Sequence, residues 1–234
     1  MNISSREYFQ VNFQGRILYA DSLYGCKGHI LMIHGGSKDR EAGLRYRHLL
    51  ADMGFGTTAF DCIGHGETGG LLSDSSLASR TAQAEAVARY LGARLTGCLG
   101  VSMGAYNALK LSEVIPLRSL VLMVPGVYHP AAYQVNFGPE FSSIIRRLRS
   151  WEETDAWRML SGYGGKLLVI AAAEDQVIPA EIPQKLYASA PVQINKALLT
   201  IPNADHHSVW RQLQNSQALY NQTCRLLMDC LSPE

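Results

Sequence analysis

Ser102 stands at the centre of Gly100-Val101-Ser102-Met103-Gly104, between an apolar run, Leu95 to Leu99, and a helix-forming stretch, Ala105 to Val114. A serine at such a strand-to-helix turn is held in a strained backbone with its hydroxyl projected outward, and the flanking glycines let neighbouring elements approach closely. A serine hydroxyl is a weak nucleophile at its free pKa, so it needs a base, and the base needs a group to orient it. Two later segments supply candidates. The apolar run Lys166 to Ala173 ends in Glu174-Asp175-Gln176-Val177-Ile178-Pro179, and the run Lys196 to Pro202 ends in Asn203-Ala204-Asp205-His206-His207. Acids and bases just past the carboxyl ends of strands lie on the rim where open α/β sheets place their sites. Adjacent side chains diverge, so one of Glu174 and Asp175, and one of His206 and His207, can face Ser102.

The elements that must position these residues alternate along the chain. Period-two patterning over 8–13 and 16–21, turning at Gln14-Gly15, predicts a hairpin. Strands are expected at 29–34, 55–61, 95–101, 117–124, 166–172 and 196–201. Helices are expected at 42–53, 76–91, 103–114, 180–189 and 207–231. Strands alternating with helices imply a parallel sheet wound with right-handed crossovers. About forty residues between Val124 and Lys166 break the alternation, with Pro125, Pro130, Gly138 and Pro139 and helix-like patches at 140–149 and 151–160. Tyr128, Phe137, Phe141, Trp151 and Trp157 concentrate aromatic surface there.

With this serine turn, the acid and the base, the chain resembles a small α/β-hydrolase, in the group of serine esterases, thioesterases and monoacylglycerol-lipase-like proteins. Four further segments carry the likeness. Ile30 to Gly36 (Ile-Leu-Met-Ile-His-Gly-Gly) resembles the family's strand and His-Gly oxyanion loop. Asp61-Cys62-Ile63-Gly64-His65-Gly66 resembles its Asp-x-x-Gly-His-Gly turn. Asp175 to Pro179 resembles its acid loop, and Asn203 to His206 its base loop, with asparagine where glycine is usual. The likeness runs from about residue 8 to residue 230.

The resemblance implies one α/β-hydrolase domain over 1–234: a mostly parallel sheet with helices on both faces and a small cap inserted at about 125–165. It favours Asp175 over Glu174 and His206 over His207. It implies a catalytic triad of Ser102, Asp175 and His206, with the backbone N–H groups of Met103 and Gly36 as the oxyanion hole. Tyr128, Trp151 and Ile178 are expected to line the substrate pocket, while most cap rings pack the cap onto the sheet. His34 and His65 are expected to bond loop backbone. The expected activity is hydrolysis of a carboxylic ester or thioester through an acyl-enzyme. Acyl transfer on the same triad, or ligand binding without catalysis, are the alternatives. No cofactor is implied.

Composition bounds the rest. The 234 residues suffice for one α/β domain with a sizeable core. A net charge of +1, from 21 basic and 20 acidic residues, gives no field to draw nucleic acid or an anionic membrane. The cluster Arg146, Arg147 and Arg149 reads as a solvated helix face, or as a greeting for an anionic substrate such as a coenzyme A thioester. Cys26, Cys62, Cys98, Cys224 and Cys230 are scattered with no C-x-x-C pair, which reads as reduced thiols; no spacing of His and Cys suggests a metal site. No apolar leader core lies in Met1 to Gln10, and no run reaches the roughly eighteen apolar residues of a membrane span, so a soluble cytoplasmic protein is expected.

Overall fold

The computed structural model describes residues 6–36 and 39–232. Its centre is one eight-stranded sheet: β1 (Arg6–Phe13), β2 (Arg16–Leu23), β3 (His29–Ile33), β4 (Gly56–Phe60), β5 (Leu95–Val101), β6 (Ser119–Met123), β7 (Lys166–Ala172) and β8 (Lys196–Ile201), in the order β1-β2-β4-β3-β5-β6-β7-β8. The β1–β2 hairpin and the β2–β4 pair are antiparallel, and all other pairs are parallel. The hairpin turns at Gln14 and Gly15, whose φ angles of 50° and 78° are those a tight turn requires.

Successive strand residues point to opposite faces, so the buried strands feed two cores. Leu31 and Ile33 of β3, Leu120 and Leu122 of β6, and Leu167 and Val169 of β7 join one core. Ile30 and Met32, Val121 and Met123, and Leu168 and Ile170 join the other. The first core takes α2 (Leu77–Leu91), α3 (Met103–Ser112) and α6 (Glu181–Ser189); the second takes α1 (Leu44–Asp52), α7 (Val209–Asn215) and α8 (Gln217–Leu231). The chain leaves β3 toward β4 on one side, then returns past it to β5 on the other. That reversal opens a crevice at the carboxyl ends of β3 and β5, the place where open α/β sheets bind ligands.

The helix expected over 207–231 is two helices. Ser216 adopts an extended backbone (φ −138°, ψ 104°) and its hydroxyl accepts the Leu219 N–H, capping α8. The helix expected from residue 42 begins as a 3-10 turn, Arg40–Gly43, capped by Asp39, before α1.

Between β6 and β7 lie α4 (Pro139–Ile145), α5 (Ala156–Ser161) and two short 3-10 turns. Phe137 and Phe141 are buried in the first core, with Tyr128, Trp151 and Trp157 packed against it. Asp155 ties the segment to α3 by accepting from Tyr106 Oη (2.7 Å) and from Lys110. The Phe137 N–H donates to Ser75 O, and the Ala78 N–H to Tyr133 O. The five cysteines are free. Among the described residues no helix is long and apolar enough to cross a membrane; of the stretch Met1 to Gln10, residues 1–5 lie outside them.

Candidate active site

Ser102 has φ 54° and ψ −117°, a conformation L-residues rarely adopt. It is held there from both sides: its N–H donates to Met123 O (2.9 Å), and its carbonyl accepts from Gly126 (3.1 Å) and Ala105 (3.0 Å). The glycines around it answer to close backbone approach. A Cβ on Gly100 would stand 2.4 Å from Gly104 O, and one on Gly104 would stand 2.2 Å from Ile33 O. The loop after β3 presses on the elbow as well, since a Cβ on Gly35 would lie 2.9 Å from that of Ser102.

The acid and base loops converge on this serine. His206 Nε2 lies 3.0 Å from Ser102 Oγ, and His206 Nδ1 lies 2.9 Å from Asp175 Oδ2. The other carboxylate oxygen of Asp175 accepts the N–H groups of Val177 (2.8 Å) and Ile178 (2.9 Å), which fixes the carboxylate plane. Side chains of Asp175 and His206 are 6% and 9% exposed, so water competes little for the pair. Asn203 takes φ 54°, the left-handed turn that glycine or asparagine tolerates, and its carbonyl accepts from Gln212 (2.6 Å). Glu174 is exposed. His207 is exposed, stacks edge-on against His206 and reaches the cavity wall without touching Ser102.

A cavity of about 400 Å³ opens beside Ser102. Its floor is apolar: Met32 of β3, Ala59 of β4, Tyr46 of α1, Met123 and Val124 at the end of β6, and Val209 of α7. His34, Gly35, Gly36, Arg40, Val177 and His206 form its rim. Among the described residues neither the Gly36 N–H nor that of Met103, the first residue of α3, is taken by a protein acceptor. Val124 is held at φ 41°, a strained backbone for a β-branched residue. The cavity therefore runs toward α1 and α7, away from the 125–165 segment. Tyr128, Trp151 and Ile178 do not line it. Tyr128 packs on Tyr106 and Phe141, with burial pushing its hydroxyl up to about 12; Trp151 meets Trp157 edge-to-face and lies under Arg149; Ile178 sits beside Gly126. Arg146, Arg147 and Arg149 are exposed, and Arg149 pairs with Glu152 and Glu181. Another cavity, about 420 Å³, lies at the opposite, amino-terminal ends of β5, β6 and β7, between Arg118, Ser119, Lys166 and Cys230, remote from Ser102.

Buried charges surround the loop that follows β3. Asp61, fully buried, accepts from the Arg40 main chain (2.7 Å), the Arg40 guanidinium and the Glu67 N–H (3.0 Å). This explains its turn motif: at Gly66 (φ 45°) a Cβ would strike the Asp61 carboxylate at 2.3 Å. Arg40 also reaches Asp21, which in turn holds Arg6 and Arg47. Burial would raise the Asp21 pKa; hydrogen bonds from Arg6, Arg47 and Arg40 overcome this and lower it to about 2. His34 is 5% exposed, and burial, then the charge of Arg80, holds it well below its ordinary value, hence neutral. The signal for Arg80 was present in the sequence: it falls on the buried stripe Leu77, Arg80, Ala84, Val87, Leu91 of α2, where a cation is out of place. Among the described residues no three His, Cys, Asp or Glu side chains are grouped to hold a metal ion.

No protein-family model matches the chain, and no curated relative does. Solved structures do. Est1E from Butyrivibrio proteoclasticus, with ferulic acid bound, aligns at a TM-score of 0.72 and 19% identity, covering 94% of this chain and 99% of that one. A Pyrococcus furiosus esterase aligns at 0.72 and 18%, over 97% and 93%. The thioesterase domain from the curacin biosynthetic pathway aligns at 0.69 and 17%, over 96% and 99%. At such identities the likeness is one of architecture, and it spans nearly the whole length of each partner. Taken with the eight-stranded sheet, its order and its reversal beside β3, it shows that the chain has the α/β-hydrolase fold.

Proposed function

We propose that the protein is a serine hydrolase that cleaves a carboxylic ester or thioester through an acyl-enzyme. The observation that carries this reading is the continuous line Asp175–His206–Ser102, with contacts of 2.9 and 3.0 Å, ending on a strained serine that faces a cavity. Ser102 Oγ attacks the carbonyl carbon while His206 Nε2 takes its proton. The carbonyl oxygen becomes an oxyanion, received by the N–H groups of Met103 and Gly36; one such donor is worth about 2.7–4 kcal/mol in the transition state. Collapse of this intermediate breaks the bond to the alcohol or thiol, which leaves with the proton returned from His206. Water then repeats the sequence on the acyl-enzyme and frees the acid. Asp175 keeps the Nδ1–H tautomer and stabilises the imidazolium.

The cavity suits the acyl group. Its apolar floor of Met32, Tyr46, Met123 and Val209 takes a chain or ring of modest size, within the usual range of ligand pockets. Segment 125–165, inserted between β6 and β7, serves as the small cap of a single domain. The ferulic acid bound to Est1E and the thioesterase named among the similar structures are consistent with this substrate class. The test is turnover of p-nitrophenyl esters of rising acyl length by the wild type, Ser102→Ala and His206→Ala. Both variants are expected to lose turnover while remaining folded; retained activity in either removes the assignment.

A further inference from the structure

Arg80 is 1% exposed on α2, and its Nη2 donates to two carbonyls of the oxyanion loop, those of His34 and of Gly35, the latter at 3.1 Å. The other buried arginines, Arg40 and Arg47, are paired with carboxylates. Among the described residues Arg80 has no carboxylate within ion-pair distance, and its Nε has no acceptor. Burying a cation with carbonyls alone to receive it is costly, so its place calls for a compensating use.

The peptide unit joining Gly35 to Gly36 supplies that use. The neutral His34 ring accepts the Cys62 N–H at Nε2 (3.2 Å), so Nδ1 carries the hydrogen and donates it to Gly35 O (2.9 Å). With Arg80, this gives the Gly35 carbonyl two donors. The described chain has no cis peptide, and in a trans unit the N–H points opposite to the carbonyl. The N–H of that unit belongs to Gly36, which lines the cavity beside Ser102.

Resting on the hydrolase reading above, we propose that Arg80 is the positioning residue of the oxyanion hole: by clamping the His34 and Gly35 carbonyls it turns the Gly36 N–H toward the reacting oxygen, and its charge polarises that peptide so that the N–H donates more strongly. A cation on the carbonyl oxygen draws density from the amide nitrogen, and the gain is realised when negative charge develops opposite it. The effect therefore falls on kcat and leaves KM in place, since the ground-state ester carries no oxyanion.

The experiment compares Arg80→Met and Arg80→Lys with the wild type on p-nitrophenyl butyrate. A trifluoromethyl ketone of the same acyl length, which forms a tetrahedral adduct on an activated serine, is titrated in parallel. Arg80→Met is expected to lose about 100-fold in kcat, as when an oxyanion donor is removed. KM should stay within twofold, and ketone affinity should fall by the same factor as kcat. Arg80→Lys, which keeps the charge but loses the fork, is expected to recover about tenfold of that loss. Wild-type kcat and ketone affinity in Arg80→Met overturn the proposal, as does a loss confined to KM. If Arg80→Met does not fold by near-UV circular dichroism, Arg80→Lys decides: a roughly tenfold fall in kcat and ketone affinity at constant KM supports the role, and unchanged kcat overturns it. Turnover surviving in Ser102→Ala would instead remove the serine-hydrolase reading, whatever the Arg80 variants do.

Discussion

Replacing Gly104 by alanine tests the packing that joins the serine to the loop after β3. Gly104 is the second residue of α3, and the added methyl would stand 2.2 Å from Ile33 O and 2.7 Å from His34 O. Both obstacles are main chain, so no rotamer relieves them; the start of α3 and the end of β3 must separate by roughly 1 Å, a strain of about 1–3 kcal/mol. The two elements carry the two halves of the site. α3 begins at Met103, directly after Ser102, and β3 runs into His34, Gly35 and Gly36. A misplacement of about 1 Å costs on the order of 100-fold in rate. Helix propensity alone favours alanine over glycine by up to about 1 kcal/mol, so the sign itself discriminates. Gly162 is the control: its nearest neighbour to a new Cβ is 3.9 Å away and its φ is −96°. Chemical denaturation and kcat/KM on a p-nitrophenyl ester should show Gly104→Ala less stable by about 1–3 kcal/mol and about 100-fold slower. Gly162→Ala should match the wild type. A Gly104→Ala enzyme of wild-type stability and rate would refute the idea that this close approach sets the site.

Two further outcomes follow from the buried groups. Asp21, lowered from 3.8 to about 2 by its arginines, contributes roughly 2.5 kcal/mol that is fully present above about pH 4 and is lost as pH falls toward 2. Asp21→Asn should cost about 3–5 kcal/mol at neutral pH by orphaning buried arginine, with a gap from the wild type that narrows by about 1 kcal/mol at pH 3; a gap independent of pH contradicts the assignment. Met32→Ala should deepen the cavity floor and move the preferred p-nitrophenyl ester to a longer acyl chain, each newly buried methylene gaining about 0.8 kcal/mol, or roughly fourfold in kcat/KM. An unchanged optimum would place the acyl group elsewhere.

The fold was legible where local signals and tertiary demands agree. β7 and β8 fall on the residues expected: β7 is a buried parallel strand that reads as a nearly unbroken apolar run, and β8, at the sheet edge, is a shorter apolar run bounded by turns. Ser102, Asp175 and His206 could be located because each follows such a run, and the structure brings the three within hydrogen-bonding reach. The break at Ser216 was less visible, since an extended serine between two helical patterns leaves the periodicity almost intact. The cavity is hidden from the sequence for a different reason. Aromatic richness in 125–165 suggested Tyr128 and Trp151 as lining residues, yet those rings are consumed in packing against Tyr106, Phe141 and Trp157. The lining comes from Met32, Tyr46, Val124 and Val209, which converge from four separate elements and share no local pattern. Arg80 bonds backbone carbonyls some 45 residues away, at His34 and Gly35, which spacing alone does not connect.

The central claim is that Ser102 is an activated nucleophile. Incubation of the folded protein with a fluorophosphonate probe, followed by peptide mapping, tests it most directly. A single phosphonylated site is expected at Ser102, lost in His206→Ala. A folded wild-type protein that takes up no label, or that carries it on another residue, would contradict the account.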